Sequence, residues 1–489
     1  MPLILPGNVA SATAAVGYDV ANSCRFNDDD GANLSKAYGG ASDTKFTWSA
    51  WIKRSSPGGG TEALFSHWNG SSDANRFVIY FEGDSLVAYH NNSGGSAADM
   101  YVKTTAVYRD PSAWYHFVVG VDTTQGTAGN RIKIYANGVQ ATDLSQTTYP
   151  DQNYAVFTFT DGGTTYIGRN PSSDSAPTKF FDGYMAEIFL IDGTTYAPSD
   201  FGEFNEDSPT IWQPKDCSGD LTFGTNGTYL DFEDSGNLGD DESGNENDLA
   251  ENSIVAADQA TDSPTNNFCT MNPIDTATGF TMSEGSCKLA WSAAATNFGV
   301  TKATMGVSAG KWYFEVKYTF GNAGQFGVWD VNDTVTNSAD VFSEAGNSTF
   351  EGLAWRIDTS ANIKECADGQ TDDTGDDFTS ENILGIAFDA DAGKIYAFQN
   401  NTEITNQGIG AGTSLMTAVT VSDFYLPFVS GGDGGSGTKT HTSEVNFGGC
   451  PSFALSSAAA DGNGYGAFEY APPSGFLALC SKNLGSDGG

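Results

Sequence analysis

The sequence predicts an all-β protein built from two antiparallel β-sandwiches that are joined by an acidic, irregular connector. Three observations support this prediction. Apolar and polar residues alternate with a period of two in many segments, glycine accounts for 59 of the 489 residues, and aromatic residues make up 12%. Period-two alternation indicates half-buried strands, glycine supplies the positive φ of tight turns, and aromatic rings fill large cores.

The first half of the chain predicts its strands most clearly. In residues 46–53, Phe, Trp, Ala and Ile alternate with Thr, Ser, Trp and Lys, which places one face of a strand in a core. Asn137-Gly138 follows a shorter alternating run, and this dipeptide is a strong hairpin signal. Further strands are predicted at 76–81, 114–121, 163–168 and 183–191.

The composition changes near residue 215. Residues 233–266 are acidic and polar and contain no aromatic residue, which predicts an irregular connector. After it, strands are predicted at 312–318, 383–388, 394–399, 424–430 and 444–447. These shifts divide the chain into five predicted regions: an N-terminal segment at 1–20, a sandwich at 21–215, the connector at 216–275, a second sandwich at 276–450 and an extended tail at 451–489.

Charge excludes several kinds of partner. Lys and Arg total 22 and Asp and Glu total 61, so the formal net charge is −39. Nucleic acids and anionic membrane surfaces are bound by positive charge, so neither is expected as a partner. No stretch approaches the ~20 apolar residues of a membrane span, and no membrane insertion is expected. The seven cysteines form no CxxC pair, which favours buried thiols in a protein made in a cytoplasm.

Specific segments resemble two known domain families. FTWSAWIKRS (46–55), WYHFVVGVD (114–122) and FDGYMAEIFLIDG (181–193) resemble laminin-G-like, concanavalin A-like jelly rolls. GKWYFEVKY (310–318) and ILGIAFDADAGKIYAFQNN (383–401) resemble strands of a SPRY domain. The resemblance implies a concanavalin A-like jelly roll followed by a SPRY-like sandwich.

The order of these parts resembles virion structural proteins of tailed bacteriophages, especially the marine, cyanophage type. The segments GYDVANSCRFNDDDGANLS (17–35), DSPTNNFCTMNP (262–273) and PPSGFLALCSKNL (472–484) carry this resemblance. It implies a protein assembled in the host cytoplasm and exposed on the virion, in contact with other virion proteins. It further implies a tail fibre or receptor-binding role, for which a homotrimer is the usual form. A capsid decoration protein or head fibre is the alternative.

A carbohydrate-active hydrolase is the rival from another class. Retaining glycosidases need two carboxylates about 5 Å apart, and an E-x-D-x-x-E run on one strand supplies them in one family of such sandwiches. No predicted strand carries this run, because its one occurrence, Glu246 to Glu251, lies in the irregular connector. Glu187 and Asp192 are five residues apart, which puts them on opposite strand faces. The four histidines form no HxH or HExxH pair. The sequence therefore predicts no catalytic residue and a non-enzymatic protein.

Adhesion to a host-surface glycan needs less specific chemistry. Sugars are bound by hydrogen bonds from Asn, Asp and the backbone and by an aromatic ring that packs on their C–H surface. Many copies on one particle would offset weak single sites. For each candidate, the alternative is a polar turn residue beside a core aromatic. The candidates are Trp68, Asn69, Tyr89, Asn91, Asn92, Trp329, Asp330 and Asn400.

Two acidic loops suggest calcium as a bound ion. Calcium takes six to eight oxygen ligands, which closely spaced Asp and Asn residues supply. Neither loop has the EF-hand spacing. The alternative is a solvated acidic loop, and no other cofactor is expected. The candidate ligands are Asp28, Asp30, Asp240, Asp241, Asn245 and Asp248.

Overall fold

The computed structural model divides the chain into two compact units, one ending at Thr265 and the other containing the residues from Asn266 on. Both consist of antiparallel sheets, which confirms the predicted all-β class with two sandwiches. The structure describes residues 17–40, 44–58, 60–68, 76–91, 99–156, 158–159, 162–171, 179–217, 219–294, 299–319, 324–332, 352–358, 360–367, 370–404, 424–432 and 438–487.

The first unit contains two large sheets. Sheet I has the order β10-β9-β8-β3-β15-β1-β20, with β18 also beside β15, and sheet II has the order β11-β7-β6-β5-β4-β12-β2-β19. The strands of sheet I are β1 (Ser23–Phe26), β3 (Lys45–Arg54), β8 (Tyr115–Asp122), β9 (Ile132–Ala136), β10 (Val139–Gln140), β15 (Gly183–Asp192), β18 (Thr228–Leu230) and β20 (Gln259–Ala260). Those of sheet II are β2 (Asn33–Tyr38), β4 (Thr61–Trp68), β5 (Arg76–Glu82), β6 (Ser85–Asn91), β7 (Met100–Thr104), β11 (Leu144–Thr148), β12 (Gly163–Ile167) and β19 (Ala250–Asn252).

Shorter elements connect these strands. Among the described residues of the first unit, two small hairpins and three single-turn 3₁₀ helices lie outside the two large sheets. The hairpins pair β13 (Arg169–Asn170) with β14 (Lys179–Phe180) and β16 (Gly202–Phe204) with β17 (Trp212–Pro214), and the 3₁₀ helices are Ala128–Asn130, Pro198–Asp200 and Ala256–Asp258.

The core of the first unit lies between sheets I and II. Phe46, Trp48, Ala50 and Ile52 of β3 all point into it, as the alternation of residues 46–53 predicted. The expected half-buried strand is wrong, because the other face of β3 is buried as well. Rings of the facing sheet meet them, and the ring centres of Phe46 and Phe65 are 5.4 Å apart. Burying one such side chain stabilises the fold by about 1.5–3 kcal/mol. The predicted Asn137-Gly138 hairpin joins β9 to β10, with both turn residues at positive φ.

A buried arginine links the two sheets at one end of this core. Arg54 ends β3, and its Nε lies 3.0 Å from a carboxylate oxygen of Glu62 on β4. Its Nη1 lies 3.0 Å from Asp84 Oδ1 and donates to the backbone oxygen of Tyr108 at 2.6 Å. The guanidinium also lies 4.2 Å from the ring centre of Phe81. Two carboxylates and a backbone oxygen therefore compensate the buried charge, while Nη2 of Arg54 has no hydrogen-bond partner among the described residues.

The acidic stretch after residue 215 is largely irregular but also contributes β18, β19 and β20, and up to Thr265 it packs onto the first unit. Widely spaced apolar side chains enter the core between the sheets, namely Leu230, Leu238, Leu249 and Ile254. Near its end, β20 pairs with β1, so the two ends of the unit lie side by side. Asp262 accepts hydrogen bonds from Lys53 at 2.6 Å and from the Trp114 indole at 3.0 Å. The acidic composition hides this packing in the sequence, because few apolar residues carry it.

The second unit is also a two-sheet sandwich. Sheet III has the order β21-β24-β33-β26-β27-β28-β29, and sheet IV has the order β22-β23-β34-β25-β30-β31-β32, with β35 parallel to β25. The strands of sheet III are β21 (Met271–Thr276), β24 (Gly299–Ala303), β26 (Gly324–Asp330), β27 (Gly352–Ile357), β28 (Asn362–Ala367), β29 (Gln370–Asp377) and β33 (Tyr425–Gly431). Those of sheet IV are β22 (Phe280–Ser283), β23 (Lys288–Ala294), β25 (Lys311–Thr319), β30 (Ile383–Asp389), β31 (Lys394–Gln399), β32 (Thr402–Glu403), β34 (Thr438–Asn446) and β35 (Leu477–Ala478).

The C-terminal tail packs on the outer face of sheet IV. Glu315 of β25 is fully buried there and accepts hydrogen bonds from the backbone N–H groups of Glu469 and Tyr470, each at 2.9 Å. The Phe468 ring packs edge-on against Tyr313 at 5.2 Å. The tail ends in a seven-residue helix, α1 (Ser481–Asp487), and no helix in the described part of the chain is long and apolar enough to cross a membrane.

Candidate functional site

The outer face of sheet II carries a row of aromatic and charged side chains. Alternate residues of β5, among them Phe77, Ile79 and Phe81, point into the core, so the residues between them point outward. The same parity places alternate side chains of β4, β6 and β7 on this face. We call this group the tyrosine face; it consists of Trp68, Arg76, Tyr80, Glu82, Tyr89, Asn91, Tyr101 and Lys103.

Three tyrosines form the centre of the tyrosine face. They come from three successive strands, and each is partly exposed. The ring centres of Tyr80 and Tyr89 are 6.5 Å apart, and those of Tyr89 and Tyr101 are 6.0 Å apart, both in edge-to-face geometry. Such pairs hold each other in place, which lowers the entropy lost when a ligand packs on the rings.

Polar groups surround the central ring. The guanidinium of Arg76 lies 5.5 Å from the ring centre of Tyr89, and Asn91 Nδ2 donates to the Tyr89 hydroxyl at 3.2 Å. Trp68 is the cross-strand neighbour of Arg76, which in turn pairs with Asn91. An indole, a guanidinium and an amide therefore occupy one row across three strands.

A carboxylate and an ammonium group lie at the opposite end of the face. Glu82 accepts hydrogen bonds from the Tyr101 hydroxyl at 2.7 Å and from Lys103 Nζ. The hydrogen bond from Lys103 lowers the pKa of Glu82. Burial, followed by the bond to Glu82, raises the pKa of Tyr101 to about 12. Burial also raises the pKa of Tyr80 above its usual range, so these two phenols stay neutral hydrogen-bonding groups at physiological pH.

The structure brings together three of the residues that the sequence proposed for sugar binding. The tyrosine face includes Trp68, Tyr89 and Asn91, which lie on the strands β4 and β6. Asn69 and Asn92 lie outside the described residues. Their expected role stays a prediction.

The other proposed sugar ligands belong to the second unit. Trp329 is 1% exposed, packs edge-on against Phe428 at 5.4 Å and has Lys302 over its ring. Asp330 is buried and accepts the backbone N–H of the residue two positions on. Asn400 lies in the turn after β31 of sheet IV, where its side chain accepts the backbone N–H of Ile383 at 3.0 Å. These contacts are structural, and a role in sugar binding stays a prediction for all three.

Sequence reasoning missed five members of the tyrosine face: Arg76, Tyr80, Glu82, Tyr101 and Lys103. The available signal was the polar set of the strand at 76–82, where positions 76, 80 and 82 alternate with core phenylalanines and isoleucine. Residue type alone does not distinguish such a polar strand face from ordinary solvent-exposed surface.

The outer face of sheet I is covered by the chain itself. There Ser49 and the imidazole of His116 are buried, with Ser49 Oγ 2.8 Å from His116 Nε2. The Trp212 indole N–H donates to His116 Nδ1 at 3.0 Å, so the ring proton must lie on Nε2 and point at Ser49. Burial lowers the pKa of His116 to about 3. A neutral imidazole that donates to the hydroxyl cannot take its proton, so this contact is not a nucleophile–base pair.

A buried carboxyl group lies under the same cover. Glu187 occupies a bulge in β15 at φ +50, where the strand's pairing shifts from β1 to β18. The Tyr229 hydroxyl donates to its two oxygens at 3.0 and 3.1 Å, and the Tyr18 hydroxyl lies 3.4 Å away. Burial raises the pKa of Glu187 to about 8, so it is mostly protonated at neutral pH. It joins three segments of chain and faces no open cleft in the described residues.

In the second acidic loop, Asp241 is saturated with hydrogen bonds. One oxygen accepts the backbone N–H groups of Tyr229 and Ser243, and the other accepts the Ser243 hydroxyl and the Asn247 N–H, at 2.7 to 2.9 Å. Asn245 donates its side-chain amide to two backbone oxygens. The hydrogen bonds of Asp241 and Asn245 therefore stabilise the conformation of this loop.

The remaining calcium candidates also make local contacts. Asp248 accepts the backbone N–H of Asp241 at 3.2 Å, and Asp30 accepts the Asn27 side-chain amide at 2.9 Å. Burial and then a neighbouring carboxylate raise the pKa of both Asp28 and Asp240. Over the described ranges, no group of three or more His, Cys, Asp or Glu side chains is placed to hold a metal ion. Calcium binding stays a prediction.

Residues 26–195 match a protein-family model described as the concanavalin A-like lectin/glucanases superfamily. This segment spans most of the first sandwich, including the whole tyrosine face, and the sandwich has the concanavalin A-like fold that the sequence resemblance implied. No curated protein matches the chain.

Several solved structures are similar to parts of the chain. A heptameric SAP-like pentraxin from Limulus polyphemus is 17% identical, with 37% of this chain and 80% of the pentraxin covered, at a TM-score of 0.27. The SPRY domain of human HERC1 is 15% identical, with 38% of this chain and 99% of the SPRY domain chain covered, at a TM-score of 0.26. A putative carbohydrate binding protein from Bacteroides ovatus is 16% identical, with 37% of this chain and 45% of that protein's chain covered, at a TM-score of 0.27.

Proposed function

We propose that this chain is a non-enzymatic glycan-binding protein and that its ligand binds on the tyrosine face. The observation that carries the proposal is the row of three partly exposed tyrosines across β5, β6 and β7. Aromatic rings pack on the C–H surface of sugars, and the partly exposed Arg76 and Glu82 supply hydrogen-bonding groups for hydroxyls. The match of residues 26–195 to the lectin/glucanase superfamily supports the same class of function.

The absence of catalysis is part of the proposal. The tyrosine face contains a single carboxylate, Glu82, whereas glycoside hydrolysis uses a pair. Glu82 is ion-paired with Lys103 and its pKa is lowered, which is opposite to the raised pKa of a general acid. The expected activity is therefore binding without cleavage.

The setting that we propose for this binding is the surface of a tailed-phage particle. It rests on the resemblance of the 17–35, 262–273 and 472–484 segments to virion proteins. In that setting the chain is a homotrimeric tail fibre or receptor-binding protein that contacts a host-surface glycan, with a capsid decoration protein or head fibre as the alternative. Light scattering of the purified chain measures the oligomer, and labelled antibody imaging on particles tests its position.

A glycan array tests the binding site. We expect the full chain to bind a subset of glycans, and we expect Tyr89→Ala to lose about two- to tenfold in affinity, since a stacked aromatic contact contributes ~0.5–1.5 kcal/mol. The matched control is Phe204→Ala, which removes a 42% exposed ring outside the tyrosine face. Equal losses in both variants, or release of new reducing ends from the bound glycan, would contradict the proposal.

A further inference from the structure

A cross-strand row extends the tyrosine face onto β12. Tyr166 pairs with Ser66, Ser66 pairs with Val78, and Val78 pairs with Tyr89, so Tyr166 and Tyr89 point outward in the same row. The guanidinium of Arg169 lies 5.0 Å from the ring centre of Tyr166. The arrangement of Arg76 over Tyr89 is thus repeated three strands away.

Three cations lie on this face of the sheet, on or next to this row. Arg169 is over Tyr166, Arg76 is over Tyr89, and Lys103 lies on β7 beside Glu82. With Glu82 as the one acidic member of this set, its formal charge is 3 − 1 = +2. From β12 to β7 the row crosses four strand spacings, or ~19 Å. We call this set the cationic strip.

The charge of the strip is opposite to that of the chain. The whole protein has 22 basic and 61 acidic residues and a net charge of −39. Other cations of the first unit, such as Arg25 and Lys53, are buried in ion pairs with Asp258 and Asp262. A chain this acidic is not expected to place several partly exposed cations on aromatic rings of one face. The rest of its negatively charged surface would repel a polyanion, so such a ligand would be attracted to the cationic strip alone.

We infer that the ligand of the tyrosine face is an anionic glycan, whose ring carboxylates or sulfates bind the cationic strip while its sugar rings pack on the tyrosines. This inference rests on the proposed function. Guanidinium groups bind planar oxyanions through two parallel hydrogen bonds, and an aromatic ring beneath the guanidinium fixes its plane. Spacing of cations along ~19 Å suits a ligand with repeated charges.

Two pairs of polymers distinguish the contribution of ligand charge to binding from that of the sugar backbone. Polygalacturonate is compared with its methyl ester, which has the same backbone without the carboxylates, and dextran sulfate is compared with dextran. Binding of each polymer to the full-length protein is measured by isothermal titration calorimetry. We expect at least one charged polymer to bind, its neutral partner to bind at least about tenfold more weakly, and the charged polymer's affinity to fall as salt rises. Which charged polymer binds tells carboxylate from sulfate.

Variants locate the binding. Arg76→Gln and Arg169→Gln are each expected to weaken binding of the charged polymer about tenfold, because each removes a charge-assisted hydrogen bond. The control is Lys133→Gln, which removes a partly exposed cation from β9 on the other sheet. Circular dichroism of each variant verifies the fold, and Arg76→Lys retains the charge while losing the paired hydrogen bonds.

Three outcomes would overturn the inference. If neutral polymers bind as tightly as charged ones and Arg76→Gln has no effect, the ligand is a neutral glycan, and a loss of binding in Tyr89→Ala would leave the proposed function standing. If neither the array nor these polymers show binding, the inference and the proposed function both fail. Binding of the charged polymers that Lys133→Gln weakens as much as Arg76→Gln would mean non-specific attraction and would also overturn it.

Discussion

Replacing Glu187 by Gln should make the first unit more stable at neutral pH and less sensitive to pH. The carboxyl is buried at 4% exposure, and its pKa is raised from 4.5 to about 8 by burial. Gln has nearly the same shape and can accept the hydrogen bond of Tyr229. Gln and Glu share the strain of the positive φ, so the backbone contribution cancels in the comparison.

The magnitude follows from proton linkage. A raised folded-state pKa means that the folded form holds a proton that the unfolded form releases, so this stability is complete below pH 4.5 and is lost as the pH rises towards 8. Each pH unit in that window changes the free energy of unfolding by about 1.4 kcal/mol. Between pH 4.5 and 7 the wild type therefore loses about 3 kcal/mol that the Gln variant keeps.

Urea denaturation at a series of pH values measures this difference. Hydrogen exchange of peptides from β15 and β18 assigns the transition to the first unit. Other carboxyl groups titrate in the same window, but they cancel when the variant is subtracted from the wild type. If the Gln variant has the same pH slope as the wild type from pH 5 to 8, Glu187 is not held protonated and the reasoning is wrong.

Three further substitutions test the buried polar contacts. Arg54→Ala should lower the free energy of unfolding of the first unit by about 3–5 kcal/mol, because the buried Glu62 and the half-buried Asp84 lose their cation; a loss below about 1 kcal/mol in urea denaturation would contradict this. Trp212→Phe should cost about 1–3 kcal/mol by leaving His116 Nδ1 without a donor, and it should leave the pH slope unchanged because His116 is neutral in both proteins. Glu315→Gln should loosen the tail at 461–484, so limited proteolysis should cut there faster than in wild type; unchanged cleavage would mean that other contacts hold the tail.

The strands could be predicted because their signal is local. In β3 every second residue enters the core, and this period is visible in ten consecutive letters. The packing of residues 216–265 could not be predicted in the same way. Leu238 and Leu249 lie among acidic residues in the sequence. Their burial depends on sheets formed by residues far away in the chain.

The tyrosine face was only partly predictable for a related reason. Trp68, Tyr89 and Asn91 were recognised by residue type alone. Their grouping with Tyr80 depends on the register of the β5–β6 hairpin, which turns at Gly83-Asp84 with Gly83 at positive φ. Their grouping with Tyr101 depends on a third strand whose register no local pattern sets.

The pairing of β1 with β20 has a consequence for how this protein can change over evolution. Val20 donates its backbone N–H to Thr265 at 3.0 Å, so the chain enters and leaves the first sandwich at one point. A unit with adjoining ends can be spliced into a loop of another protein without stretching either one. The first sandwich can thus be transferred between proteins as one continuous segment.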